Sequence, residues 1–120
     1  MGLTDEQYRK VMRKGWNLTP GIYDRVWTPV LSRHSAACVE RLRLKPTDRV
    51  LDVATGPGTA ALLAAEHVPE GSVHGVDISD HFVDQSAHDP FLHAHVTLGM
   101  IPDGFEIFRQ LLELGQVRNL

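Results

Sequence analysis

An α/β fold built on a parallel sheet is the class this sequence predicts, and three observations carry the prediction. "RVLDV" (Arg49 to Val53) is a short run dense in apolar and β-branched residues, which suits a strand buried on both faces. "TGPG" breaks that run with Gly56 and Gly58 and leads into "TAALLAAEH", an Ala/Leu-rich stretch with no β-branched residue after Thr59 that reads as a helix ended by "PEG" at Pro69 to Gly71. "SVHGVDIS" follows as a second strand reaching Asp77. Strand, glycine turn, helix, strand is a βαβ unit of a doubly wound fold. Its right-handed crossover puts the glycine turn at the carboxyl edge of the sheet, where ligands bind.

The remaining elements follow from their ends. "TDEQ" (Thr4 to Gln7) has the form of a capping box, so a mostly polar helix should run to about Lys14, where Gly15 interrupts it. "NLTPGIYD" (Asn17 to Asp24) is rich in turn formers and separates this helix from the next. Thr28 as cap and Pro29 at the first helical position predict a helix to about Arg43, with Leu31, Cys38 and Leu42 on one apolar stripe. Beyond the βαβ unit, Ser79 or Asp80 caps a short helix stopped by Asp89-Pro90, and "LHAHVTL" (Leu92 to Leu98) supplies a third strand. "PDG" then turns into a last helix with Phe105, Phe108, Leu111 and Leu112 at helical spacing and Gly115 as its cap.

With 120 residues and 42% hydrophobic content the chain fits one domain, residues 1–120. Within it, residues 1–46 form an N-terminal helical part and residues 47–120 the sheet-bearing part. The single cysteine, Cys38, cannot form an intramolecular disulfide, and the start has no apolar run of a secretory signal, so a cytoplasmic location is expected. The longest apolar run is far below the roughly 18–20 residues that span a bilayer. Residues 1–50 carry ten Lys/Arg against five Asp/Glu, and residues 51–120 carry two against ten. The positive charges are spread along helices without basic blocks or interleaved aromatics, which argues against nucleic acid.

Gly56 and Gly58 let backbone approach a ligand closely, and the helix N-terminus behind them offers free N–H groups. Asp77, at the end of the next strand, is placed to accept hydrogen bonds from two ribose hydroxyls. A ribose-bearing cofactor fits both features. Gly56-x-Gly58-x-x-Ala61 also satisfies the relaxed dinucleotide pattern, so a nicotinamide cofactor competes. Asp52, four residues ahead of Gly56, tips the balance, because an acid there has no use beside a pyrophosphate. S-adenosylmethionine has no phosphate and carries a sulfonium and an ammonium, so a carboxylate beside it is favourable.

"VLDVATGPGTA" followed by "HGVDIS" resembles motif I and the acidic post-motif of class I S-adenosylmethionine-dependent methyltransferases, particularly the menaquinone/ubiquinone-biosynthesis-like group. The resemblance implies a seven-stranded Rossmann-like domain whose glycine turn wraps the methionine and ribose of the cofactor. Carried over, the motif acid falls on Asp52, the three glycine positions on Ala54, Gly56 and Gly58, the ribose acid on Asp77, and the residue beside the adenine on Ile78. "IYDRVWTPVLSRH" is similar to the helical lid of such enzymes, with Tyr23 as a contact. The likeness covers roughly residues 20–88, so the expected fold is a Rossmann-like parallel sheet of about three strands with N-terminal helices, incomplete relative to the family. With the family's fourth strand missing, the edge of the first strand should lie bare and invite a homodimer or a partner chain.

The function expected is methyl transfer from S-adenosylmethionine to a small-molecule acceptor, by this chain or with it as the cofactor-binding portion. The alternatives are an inactive methyltransferase-like interaction or dimerisation module and a nicotinamide-binding oxidoreductase fragment. No general base is assigned; His34 lies on the lid helix, where a surface or packing role is the commoner one. His67, His74, His81, His88 and His95 recur every seven residues but fall on different elements, so no metal site is expected. A zinc or nickel site at His88, Asp89, His93 and His95 is the rival to that reading. Trp16 and Trp27 are assigned to core or lid packing.

Overall fold

The computed structural model describes residues 2–87, 96–100 and 118–119. Helix α1 (Asp5–Asn17) opens with the expected capping box: the Gln7 N–H donates to Thr4 Oγ1 (3.3 Å) and the Thr4 N–H to Gln7 Oε1 (2.9 Å). It does not stop at Lys14. One interior glycine costs a helix only about 1 kcal/mol, and the Trp16 carbonyl is taken up by Thr19, whose N–H (3.0 Å) and hydroxyl (2.8 Å) both donate to it.

The turn-rich segment after α1 is also corrected, because most of it is helix. Pro20 stands at the first position of α2 (Pro20–Val26), where its missing N–H costs nothing. Helix α3 (Thr28–Arg41) begins one residue later, since Trp27 keeps near-helical backbone angles (φ −95°, ψ −35°). Thr28 is therefore the first residue of α3 rather than its cap. The expected apolar stripe is out of phase by one position: Val39 is the buried residue of α3, while Leu31 and Cys38 are exposed.

Strand β1 (Arg49–Val53), helix α4 (Thr59–His67), strand β2 (Ser72–Asp77) and helix α5 (Asp80–Ala87) fall where the sequence places them. Strand β3 (Val96–Met100) ends two residues beyond the expected end, in a register that pairs Val73 with Val96 and Asp77 with Met100 and so uses β2 to its last residue. Residues 92–95 and the helix expected around Phe105 to Gly115 lie outside the described residues. A fourth strand, β4 (Arg118–Asn119), makes the sheet four-stranded and wholly parallel, in the order β3-β2-β1-β4. That order reverses direction at β1, which places the topological switch point at its carboxyl end.

The bare edge expected on β1 is corrected as well. Val50 and Leu51 pair with Arg118 and Asn119, so the middle of that edge carries a strand partner. The physical ground for expecting association through this edge shrinks accordingly. Val39, Val50, Ala61, Ala64, Ala65, Val68 and Val73 form the core between the sheet and α3 and α4. The three alanines let α4 lie close to the sheet, and each fully buried valine contributes roughly 1.5–3 kcal/mol. This packing fixes the start of α4, and with it the glycine turn. No helix among the described residues is long and apolar enough to cross a membrane.

Candidate functional site

The turn from β1 into α4 holds three residues in the left-handed region: Ala54 (φ +61°), Gly56 (φ +53°) and Gly58 (φ +83°). Gly58 occupies the N-cap of α4 and has no side chain to offer the exposed amides of the first turn. Asp52 takes that role from β1, accepting the Ala61 N–H and, at 2.7 Å, the Thr55 hydroxyl. Asp52 as a whole is only 6% exposed. Burial pushes the Asp52 carboxyl above its ordinary value; the Thr55 and Ala61 hydrogen bonds oppose that rise, and the nearby Asp77 charge adds to it.

Asp77 closes the other side of the site. One carboxylate oxygen accepts the Gly56 N–H and the other the Ser79 N–H, both at 2.8 Å. The Thr55 N–H donates to the Val76 carbonyl at 3.1 Å beside them. A single buried acid thus ties the glycine turn to the turn that starts α5. Ser79 caps α5 as expected, its hydroxyl oxygen accepting the Phe82 N–H at 3.3 Å.

Two cavities flank the glycine turn and share Tyr23 and Ala54 as a common wall. The first, about 220 Å³, has Gly56, Asp77 and Ile78 on one side and Trp16, Tyr23 and Phe82 on the other. The three rings stand edge to face, with centroids 6.2 Å apart for Trp16 and Tyr23 and 5.4 Å for Tyr23 and Phe82. The second, about 140 Å³, runs over Asp52, Thr55 and Pro57 under Ser32 and Ser35 of α3. Together they reach the lower end of the roughly 300–1,000 Å³ common for small-molecule sites.

Of the residues singled out in the sequence, Asp52, Ala54, Gly56, Asp77, Ile78 and Tyr23 line these cavities. Gly58 does not; it is buried at the helix cap. His34 is exposed and lines neither cavity. His67, His74 and His81 are exposed on three different elements, and no group of three metal-ligating side chains occurs among the described residues. His88, Asp89, His93 and His95 lie outside those residues. Trp16, assigned from the sequence to core or lid packing, is a wall of the first cavity. Sequence reasoning missed Phe82, which stands three residues past the Ser79 cap and was open to inference from helix geometry alone.

Strand order, glycine turn and the acid ending β2 together define a Rossmann-like domain of the class I S-adenosylmethionine-dependent methyltransferase type. The profile of the protein-L-isoaspartate(D-aspartate) O-methyltransferase family matches residues 16–99, well over half of the sequence, and the chain belongs to that family. It is 46% identical over 43 residues to an uncharacterized methyltransferase of Schizosaccharomyces pombe, covering 36% of this chain and 16% of that one. It is 27% identical over 85 residues to the aklanonic acid methyltransferase of Streptomyces sp. strain C5, covering 70% and 39% respectively. The chain therefore spans well under half the length of these relatives. Among solved structures, a candidate S-adenosyl-L-methionine-dependent methyltransferase of Methanococcus maripaludis superposes with a TM-score of 0.55 at 16% identity, covering 83% of this chain and 45% of that one, which bears out the fold.

Proposed function

We propose that the chain binds S-adenosylmethionine at the glycine turn and is the cofactor-binding portion of a methyltransferase acting on a small-molecule acceptor. The observation that carries this reading is Asp77. It is a buried carboxylate at the end of β2 that faces the same cavity as Gly56 and three aromatic rings. The residues fit the group. Each oxygen of Asp77 uses one lone pair on a backbone N–H, leaving acceptor capacity for ribose hydroxyls. Gly56 opens onto free space, with nothing within 4 Å of where a Cβ would stand. Ile78, Tyr23 and Phe82 offer apolar and ring surfaces suited to a purine.

In this reading Asp77 and Gly56 hold the ribose end, and the cavity over Asp52, Ala54 and Thr55 takes the methionine end under α3. When bound, the cofactor supplies a methyl group on a sulfonium, a leaving group that needs no protonation. What remains for the protein is to align an acceptor and exclude water, and none of the cavity-lining residues named here needs to act as a base. The small-molecule acceptor is supported by the likeness to the aklanonic acid enzyme. The family match favours methyl transfer over the nicotinamide reading and over a purely structural module.

Calorimetric titration of S-adenosylmethionine and S-adenosylhomocysteine into the purified protein tests the proposal, with NADH as the parallel ligand. Micromolar affinity for the first two is expected. Binding of NADH alone, or of none of the three by a folded sample, would overturn it.

A further inference from the structure

The C-terminal residue of α1 makes a contact that neither the core nor the glycine turn requires. Asn17 Oδ1 accepts the Ser79 hydroxyl at 2.7 Å, across 62 positions of sequence. The Asn17 main-chain carbonyl lies 2.6 Å from Nδ1 of His81. Because a carbonyl only accepts, that ring nitrogen carries the proton. Ser79 is fully buried and its hydroxyl both donates to Asn17 and accepts from Phe82, while its N–H donates to Asp77.

The contacts form one unbroken chain: Asn17 to Ser79, Ser79 to Asp77, and Asp77 to the Gly56 N–H of the glycine turn. Helix α1 has no buried residue of its own. Among the described contacts, its C-terminal end is held by these polar contacts and by the edge of Trp16 against Tyr23, while Met12 and Arg13 farther back are half-buried. Trp16, the residue just before Asn17, is also a wall of the larger cavity.

We propose that Asn17 is a positioning residue: with Ser79 and His81 it latches the end of α1 so that Trp16 closes the cavity over Asp77. This rests on the cofactor reading above. Without the latch, α1 is released while the core of Val39, Val50, Ala61 and Val73 is untouched, so the fold survives and the closed cavity becomes a minority state. Apparent affinity then falls by the fraction of molecules still closed.

The test uses the full chain with Trp27→Phe, so that Trp16 is the only tryptophan, and S-adenosylhomocysteine as the probe. Asn17→Ala, which removes the Ser79 hydrogen bond and keeps the main-chain carbonyl that His81 meets, is expected to bind about five- to tenfold more weakly, the loss of one ordinary hydrogen bond. Its free-state Trp16 emission should shift to the red while far-UV circular dichroism and melting temperature stay near the parent's. Asn17→Asp, which retains an acceptor for the Ser79 hydroxyl, should restore both signals. Unchanged affinity in Asn17→Ala would overturn the latch and leave the cofactor reading standing. Failure of the parent itself to bind would overturn the cofactor reading, and the latch with it. His81→Ala offers an independent arm, expected to weaken binding in the same direction; affinity equal to the parent's would remove His81 from the latch.

Discussion

Replacing Asp77 with Asn separates the structural work of this carboxylate from its proposed work on a ligand. Asp77 is 7% exposed and receives two backbone N–H groups at 2.8 Å, one on each oxygen, from loops 21 and 2 residues away in sequence. An asparagine offers one oxygen and one NH₂. One of the two N–H groups must therefore lose its acceptor and face another donor. Hydrogen bonds to a charged group contribute about 1.5–3 kcal/mol each, and a buried donor left unpaired costs a similar amount. Asp77→Asn should thus lower stability by about 1.5–3 kcal/mol, against the roughly 5–15 kcal/mol of a typical domain.

Urea denaturation followed by circular dichroism reads that loss as a midpoint lower by on the order of 1 M, with unchanged slope. A second experiment repeats the melt with S-adenosylhomocysteine at a concentration that stabilises the wild type by about 2.7 kcal/mol, which corresponds to a hundredfold excess over Kd. The variant should show little of this gain, because the same carboxylate is asked to receive the ribose. A variant as stable as the wild type to within 0.5 kcal/mol, roughly the scatter of inert surface changes, would show that the two loops do not depend on Asp77. Full ligand stabilisation of a destabilised variant would keep the structural role and remove the ligand role.

Asp52→Asn addresses the carboxyl whose pKa burial raises in the fold. A raised folded value means the native state holds the proton more tightly, so the contribution of Asp52 to stability is best below the unfolded value near 3.8 and declines as pH climbs through the folded one. Denaturation of both proteins across pH 3 to 7 should therefore show the wild type losing ground to Asp52→Asn as pH rises; a flat difference would refute the assignment. Ala54→Gly replaces a residue at φ +61° by one with no penalty there. Relief of about 1–2 kcal/mol, offset by about 0.4–1 kcal/mol of added unfolded-state freedom, predicts a variant at least as stable as the wild type, and a lower melting temperature would contradict it.

Much of this was legible in the sequence because the informative segments are local. Arg49 to Asp77 read correctly to the residue at most element ends, since strand, glycine turn, alanine-rich helix and strand each state their own type and the crossover admits one hand. The N-terminal helices read less well. Their boundaries depend on contacts made far away: α1 runs past Gly15 to an Asn17 that is held by Ser79 and His81, and no periodicity in "RKGWNLTP" reports those partners. The misphased stripe of α3 has the same origin. Its buried side is set by where α4 lies, and α4 is positioned by small residues that leave no strong amphipathic signal of their own.

The site shows the same division on a smaller scale. Spacing alone put Asp52, Gly56 and Asp77 at one edge of the sheet, and the structure adds what each carboxylate is already bonded to. Asp52 spends its oxygens on Thr55 and on the first turn of α4, and Asp77 on Gly56 and Ser79. In a dinucleotide fold the amides of this turn and helix would be turned toward a phosphate. Here protein carboxylates occupy the Gly56 and Ala61 amides, and the two acids are close enough that Asp77 raises the pKa of Asp52. A pyrophosphate brought into these cavities would meet two acids and fewer free donors, whereas a ligand carrying positive charge and ribose hydroxyls would be stabilised by both. In the proposed reading, the acids that finish the fold also select the charge of what the glycine turn can hold.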